Sequence, residues 1–210
     1  MYRFLLIIYS FLISLTMSAY EHTYPDLNDL DAILNRHNEI TLAKIQSIES
    51  KKYILVNTDS MTERYNICDS LFHDYSSFQL DSALSYANRK LKIAKQLQDR
   101  KHIDRSIIEM ANMYIQAGMN MQSYELLQQL DRSQLDPALL QDYYSINNNL
   151  YEFLSQFALN KTIRDGYKQT AKAYRDSVLM HEPNDMFVYT YSLLSDGKYQ
   201  KGLNILLNYF

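Results

Sequence analysis

Across 210 residues the chain contains only four glycines and three prolines. An all-β sandwich or barrel needs many turn residues, so this scarcity argues against one. Their positions constrain the fold further. Pro25 precedes a long amphipathic run, Pro137 follows Asp136 as a first helical residue behind its cap, and Pro183 follows Glu182 where a last hairpin should open. Gly118 and Gly197 fall where helices should turn. Proline at starts and glycine at ends is the asymmetry of helices, so the chain is expected to be all-α. Gly166 is the exception. It sits inside a good helical pattern at a cost of about 1 kcal/mol relative to alanine, and it marks either a close helix approach or a break.

The first helix is expected over about 26–55, with Leu27, Leu30, Leu34, Ile40, Ile45 and Ile48 as an imperfect apolar stripe. It either projects as a coiled-coil-like arm or packs along the first hairpin. Helix pairs are then expected at 61–77 with 81–98, 103–118 with 121–131, 136–157 with 161–181, and 184–196 with 198–209. Asp81 is the expected cap of the second helix of the first pair. Linkers of a few residues force neighbouring helices to be antiparallel. The 19 tyrosines suit inter-helix packing, because each offers a large apolar body with a polar tip. Cys68 falls at helical spacing with Arg64, Leu71, Phe72 and Tyr75 and reads as a small core residue.

A fixed pattern of large and small residues runs through Ile107, Met110, Ala111, Tyr114, Gly118, Ser123, Leu127 and Leu130. This resembles a tetratricopeptide repeat. Met186, Tyr189, Thr190, Leu193, Gly197, Tyr199, Gly202, Leu206 and Tyr209 fit the same pattern more loosely. The 61–98 pair fits in part, and the 136–182 pair is too long for it. The resemblance implies a right-handed superhelix of about four antiparallel hairpins over 58–210, preceded by a long N-terminal helix over 20–57. It also implies a groove lined by first helices, for a protein or peptide. Groove positions carried over are Arg105, Asn112 and Gln116 from the Gly118 repeat and Tyr191 from the Gly197 repeat.

The N-terminus carries Arg3, then the apolar stretch Phe4–Leu15, then the small residues Ser18 and Ala19. Twelve helical residues span about 18 Å, short of a hydrocarbon core of roughly 30 Å. Residues 1–19 therefore read as a secretory signal cut after Ser18 or Ala19, with an uncleaved anchor as the alternative. Export, the charged first helix, Phe78–Leu91 and Ala173–Val178 together resemble the periplasmic part of membrane-anchored tetratricopeptide regulators of Gram-negative anaerobes. That family continues into a transmembrane helix, a coiled coil and a regulatory region for transcription. The chain stops at Phe210 without a capping helix, so it is expected to be the sensing part of something longer, anchored in the inner membrane in full-length form. Any association with a membrane is expected through that missing part or through an uncleaved signal.

No phosphate loop, no metalloprotease signature, no nucleophile elbow and no base for Cys68 is present. His22, His37, His73, His102 and His181 are dispersed without ligand spacing. No catalytic residue, metal or cofactor is expected. A net charge of −3 with no basic half argues against nucleic acid as a partner. The local run Arg89, Lys90, Lys92, Lys95, Arg100, Lys101 and Arg105 reads as a solvated face. The chain is thus expected to be a binding sensor module. The alternative is an assembly scaffold that self-associates through Ile205, Leu206, Leu207, Tyr209 and Phe210.

Overall fold

The computed structural model describes residues 27–182, 184 and 186–209. The expected signal, Pro25, Pro183 and Phe210 lie outside the described residues, as does the Tyr209 side chain. Among the described residues there are nine α-helices and no strand: α1 Leu27–Asn57, α2 Met61–Ser76, α3 Leu80–Leu97, α4 Arg100–Gln116, α5 Asn120–Leu127, α6 Leu140–Phe157, α7 Lys161–His181, α8 Met186–Ser195 and α9 Tyr199–Tyr209. Two 3₁₀ turns, Arg132–Gln134 and Pro137–Leu139, join α5 to α6. The expected fold class is the observed one, an all-α tetratricopeptide-like stack of antiparallel hairpins behind a long first helix. No helix among the described residues is long and apolar enough to cross a membrane.

The chain divides into two compact units between Glu49 and Ser50. In the first, Leu30, Leu34, Ile40 and Ile45 of the expected stripe are between 51% and 62% exposed, and Ile48 is buried. In the second, the last turns of α1 pack on α2: Leu55 is buried, Lys51 Nζ lies 2.5 Å from Asp74 Oδ2, and Lys52 stands 5.7 Å from the centre of the Tyr75 ring. The packing alternative therefore holds for these last turns.

Local chemistry explains where the hairpins begin and turn. Ser60, Asp99 and Asn160 cap α2, α4 and α7 by accepting from the backbone N–H three residues on. Asp81 does not cap α3. That helix starts at Leu80 behind Gln79, so Asp81 lies in its first turn, where a carboxylate complements the positive end of the helix. Asp136 accepts from Ala138 N–H at 2.9 Å, and Pro137 follows as expected, but they open a 3₁₀ turn three residues ahead of α6. Gly118 and Gly197 have φ of 74° and 76° and make the same turn. Met119 N–H donates to Tyr114 O at 2.8 Å and Lys198 N–H to Leu193 O at 2.8 Å, the six-to-one bond that closes a helix on a left-handed residue. Gln98, with φ of 54°, turns α3 into α4 without glycine.

In the second unit the hairpins α2–α3, α4–α5, α6–α7 and α8–α9 follow one another, each first helix also packing on the preceding second helix. The first helices lie side by side: Tyr65 of α2 meets Ser106 of α4 at 3.4 Å, and α4 packs on α6. Small buried residues allow this, including Ala83, Ala87, Ala94, Ala111 and Ser123, with Cys68 among them as expected. Gly202 does the same in the last hairpin, since a Cβ there would stand 3.0 Å from Leu194 Cδ2. Gly166 answers to neither expectation. Helix α7 runs through it unbroken, and nothing lies within 4 Å of where its Cβ would be. Gly166→Ala should therefore stabilise the chain by about 1 kcal/mol and raise the thermal midpoint by roughly 3 °C; a melt followed by circular dichroism that shows no rise contradicts this.

The long α6–α7 pair, which departs from the repeat pattern, has its own device. Tyr144 and Tyr151 on α6 are seven residues apart, as are Tyr167, Tyr174 and His181 on α7. The rings interleave: Tyr144 with His181 at 5.4 Å and Tyr174 at 6.4 Å, then Tyr151 with Tyr174 and Tyr167, each at 5.9 Å. A seven-residue period keeps rings on one face for two helical turns, and antiparallel chains let the two rows alternate.

Candidate binding surface on the first helices

Arg105, Asn112 and Gln116 recur at steps of seven and four on α4, so the helix places them on one face. Glu109 completes that row. Arg105 and Gln116 are exposed and Asn112 is half-buried. Tyr191 is not beside them. It belongs to α8, beyond α6, and it lines a recess of its own.

That recess, about 370 Å³, lies between Asn148, Asn149 and Glu152 of α6 and Phe187, Val188 and Tyr191 of α8. Arg175 of α7 stands behind it, only 3% exposed. Its Nη1 donates to Glu152 Oε1 at 2.8 Å, and its guanidinium carbon lies 5.4 Å from the centre of the Tyr191 ring. The charged pair and the aromatic face fix one another. Burial raises the Tyr191 hydroxyl above the ordinary phenol range, and the Glu152 carboxylate adds to this. Two polar atoms here lack a protein partner among the described residues, Asn148 Oδ1 and Arg175 Nε. Both atoms lie beneath the surface; the exposed Asn149 amide beside the exposed Phe187 and Tyr191 rings can pair with a peptide backbone and cover an apolar side chain. Asn148, Asn149 and Glu152 were not expected, because α6 departs from the repeat pattern and no groove position carries over to it. The signal available was the run Asn147-Asn148-Asn149, three weak helix formers in mid-helix.

A second charged cluster joins α2, α3 and α4. Lys90, expected on a solvated face, is fully buried instead. Its Nζ lies 2.5 Å from Asp69 Oδ1 and also donates to Glu109 Oε2, and it sits 4.7 Å above the centre of the Phe72 ring. Burial, the largest single influence, lowers the ammonium's pKa; Glu109 and Asp69 together outweigh it and leave the pKa raised above the ordinary lysine value. His73 Nε2 flanks the same carboxylates at 3.8 and 4.0 Å. Asp69, His73 and Glu109 could in principle offer a cation three ligand atoms. Both carboxylates already hold Lys90, whose buried ammonium has no other place to go. The cluster is a pin between two hairpins.

Residues 34–210 match the model of the family described as SusR N-terminal TPR domain. No curated protein matches the chain, and no solved structure does.

Proposed function

From the premise that this chain belongs to the family of the SusR N-terminal TPR domain, a protein-interaction module of a non-catalytic kind, we propose that it holds a peptide segment of a partner protein across its first helices. The observation that carries this reading is the α6–α8 recess, where Asn148, Asn149 and Glu152 face Phe187 and Tyr191. The row Arg105, Asn112 and Gln116 on α4 extends the same layer of first helices. We further propose that the module works as the exported, periplasmic sensing part of a membrane-anchored transcriptional regulator. The leader-like Phe4–Leu15 stretch and the order of parts along the chain support that setting.

A photo-crosslinker at Tyr191 or Gln116 should yield a discrete protein adduct in the native host, and one at Ser177 on α7 should not. Asn112→Ala with Gln116→Ala, or Tyr191→Ala, should keep full helicity and reduce co-purification of that protein at least roughly tenfold, a loss of about 1.4 kcal/mol. Undiminished recovery with both variants would remove the groove assignment.

A specific observation favours a second reading, self-assembly. Tyr199, Leu203 and Leu207 recur every fourth residue on α9 and all three are exposed. Concentration-dependent light scattering tests it, and a monomer at high concentration contradicts it.

A further inference from the structure

Four cations gather on the outward side of the first hairpin without carboxylates to balance them. Arg89, Lys92 and Lys95 lie on the exposed face of α3, and Arg64 reaches the same place from α2. Among the described residues, no carboxylate oxygen lies within 4.0 Å of any of the four; other cations, such as Lys161 and Lys201, are unpaired too, but these four lie together. Arg64 and Arg89 flank the buried Cys68 thiol, where their charges oppose the rise that burial imposes on its pKa.

The cations border two hollows that share Lys92 and Gln96. One, about 420 Å³, is lined by Met61, Arg64, Arg89, Lys92, Ile93 and Gln96. The other is shallow and open, lies along α3 alone, and adds Asn88, Leu91 and Lys95. Together they form a furrow along α3, with buried Leu91 and Ile93 beneath it.

Helix stability accounts for only part of this. A lysine near the C-terminus of α3, such as Lys95, is favoured by the helix dipole. Arg64 is not, because it stands at the start of α2, where the same dipole disfavours a cation. Arg89 lies in mid-helix. Convergence of two guanidinium groups with two ammonium groups on a furrow is what an extended run of carboxylates requires, since guanidinium binds carboxylate through two parallel N–H donors. Nucleic acid fits less well, because no aromatic ring lines the furrow to stack on a base. A lipid surface also fits less well, because the apolar side chains here form the floor rather than a protruding rim.

We propose that the α3 furrow is a second docking surface, for an acidic, Asp/Glu-rich protein segment, separate from the α6–α8 recess. The test is fluorescence anisotropy of a labelled deca-glutamate peptide with the full chain. Binding should weaken by roughly tenfold or more in Arg89→Glu with Lys92→Glu and stay unchanged in Lys161→Glu, an exposed cation on another helix. It should also fall steeply as salt rises from about 50 to about 300 mM. Deca-lysine, single-stranded DNA and phosphatidylserine vesicles are the competing probes. No deca-glutamate binding, equal binding by the double variant, or tighter binding of DNA or vesicles would each overturn the proposal. Because both substitutions are exposed, the double variant should keep the wild-type melting midpoint. Tyr191→Ala separates the two surfaces, and it should leave deca-glutamate binding intact whatever becomes of the groove.

Discussion

Lys90→Met is expected to lower the unfolding free energy by about 3 kcal/mol, read from chemical denaturation. The reason is the pair of carboxylates left behind. Asp69 and Glu109 each keep roughly a quarter of their side-chain surface in water or less, so without the ammonium they repel each other in a poorly hydrated place. Adding Asp69→Asn and Glu109→Gln to Lys90→Met should restore most of the loss, because removing all the charges removes the repulsion along with the attraction. A triple variant no more stable than the single one would mean that the aliphatic stem of Lys90, not its charge, holds the site. The pH dependence has a definite sign. Because the folded pKa of Lys90 is raised above the ordinary value of 10.5, its stabilisation is fully present below that value. It is lost only as pH climbs through the folded pKa. The gap between wild type and Lys90→Met should therefore stay open through neutral and mildly alkaline pH and close at strongly alkaline pH.

Tyr174→Ala should cost about 2–3 kcal/mol, below the range for a fully buried aromatic because the ring is half-buried. Its ring touches Tyr143, Tyr144 and Tyr151, so deletion opens the middle of the interleaved row. Burial holds its hydroxyl pKa well above the ordinary phenol value, and a hydrogen bond with Tyr143 raises it further. Tyr174→Phe removes only that bond and should cost about 1 kcal/mol. In a repeat stack each hairpin leans mainly on its neighbours. Hydrogen exchange in Tyr174→Ala should therefore accelerate over α6–α9 and change little over α2 and α3. Uniform acceleration would mean that the array unfolds as one unit.

The turns were the most legible part of the fold. Gly118 and Gly197 announce themselves because a left-handed residue is cheap only for glycine, and the spans set by them hold to within a few residues, except where 3₁₀ turns shorten α5 and delay α6. Gln98 makes a comparable turn with no such signal. The charged pins were not legible. Lys90 lies in a basic run, and nothing local distinguishes it from Lys92; its partners are 21 and 19 residues away and meet it only once three helices have packed. The recess between α6 and α8 was hidden for the same reason. Tyr191 carried over from the repeat pattern, but its counterparts sit on a helix that abandons the pattern. The seven-residue spacing of Tyr167, Tyr174 and His181 is visible in the sequence, but which rings it meets depends on the antiparallel register of α6 and α7.

The interleaved rings have an optical consequence. The chain has 19 tyrosines and no tryptophan, so ultraviolet excitation is not drained to an indole. Tyr144, Tyr151, Tyr167 and Tyr174 lie close enough to hand excitation from ring to ring, which depolarises their emission. Opening the α6–α7 hairpin would interrupt that exchange and raise the anisotropy of the intrinsic emission. One pair of helices thus carries a label-free reporter of its own integrity, adjacent to the recess where a partner would settle.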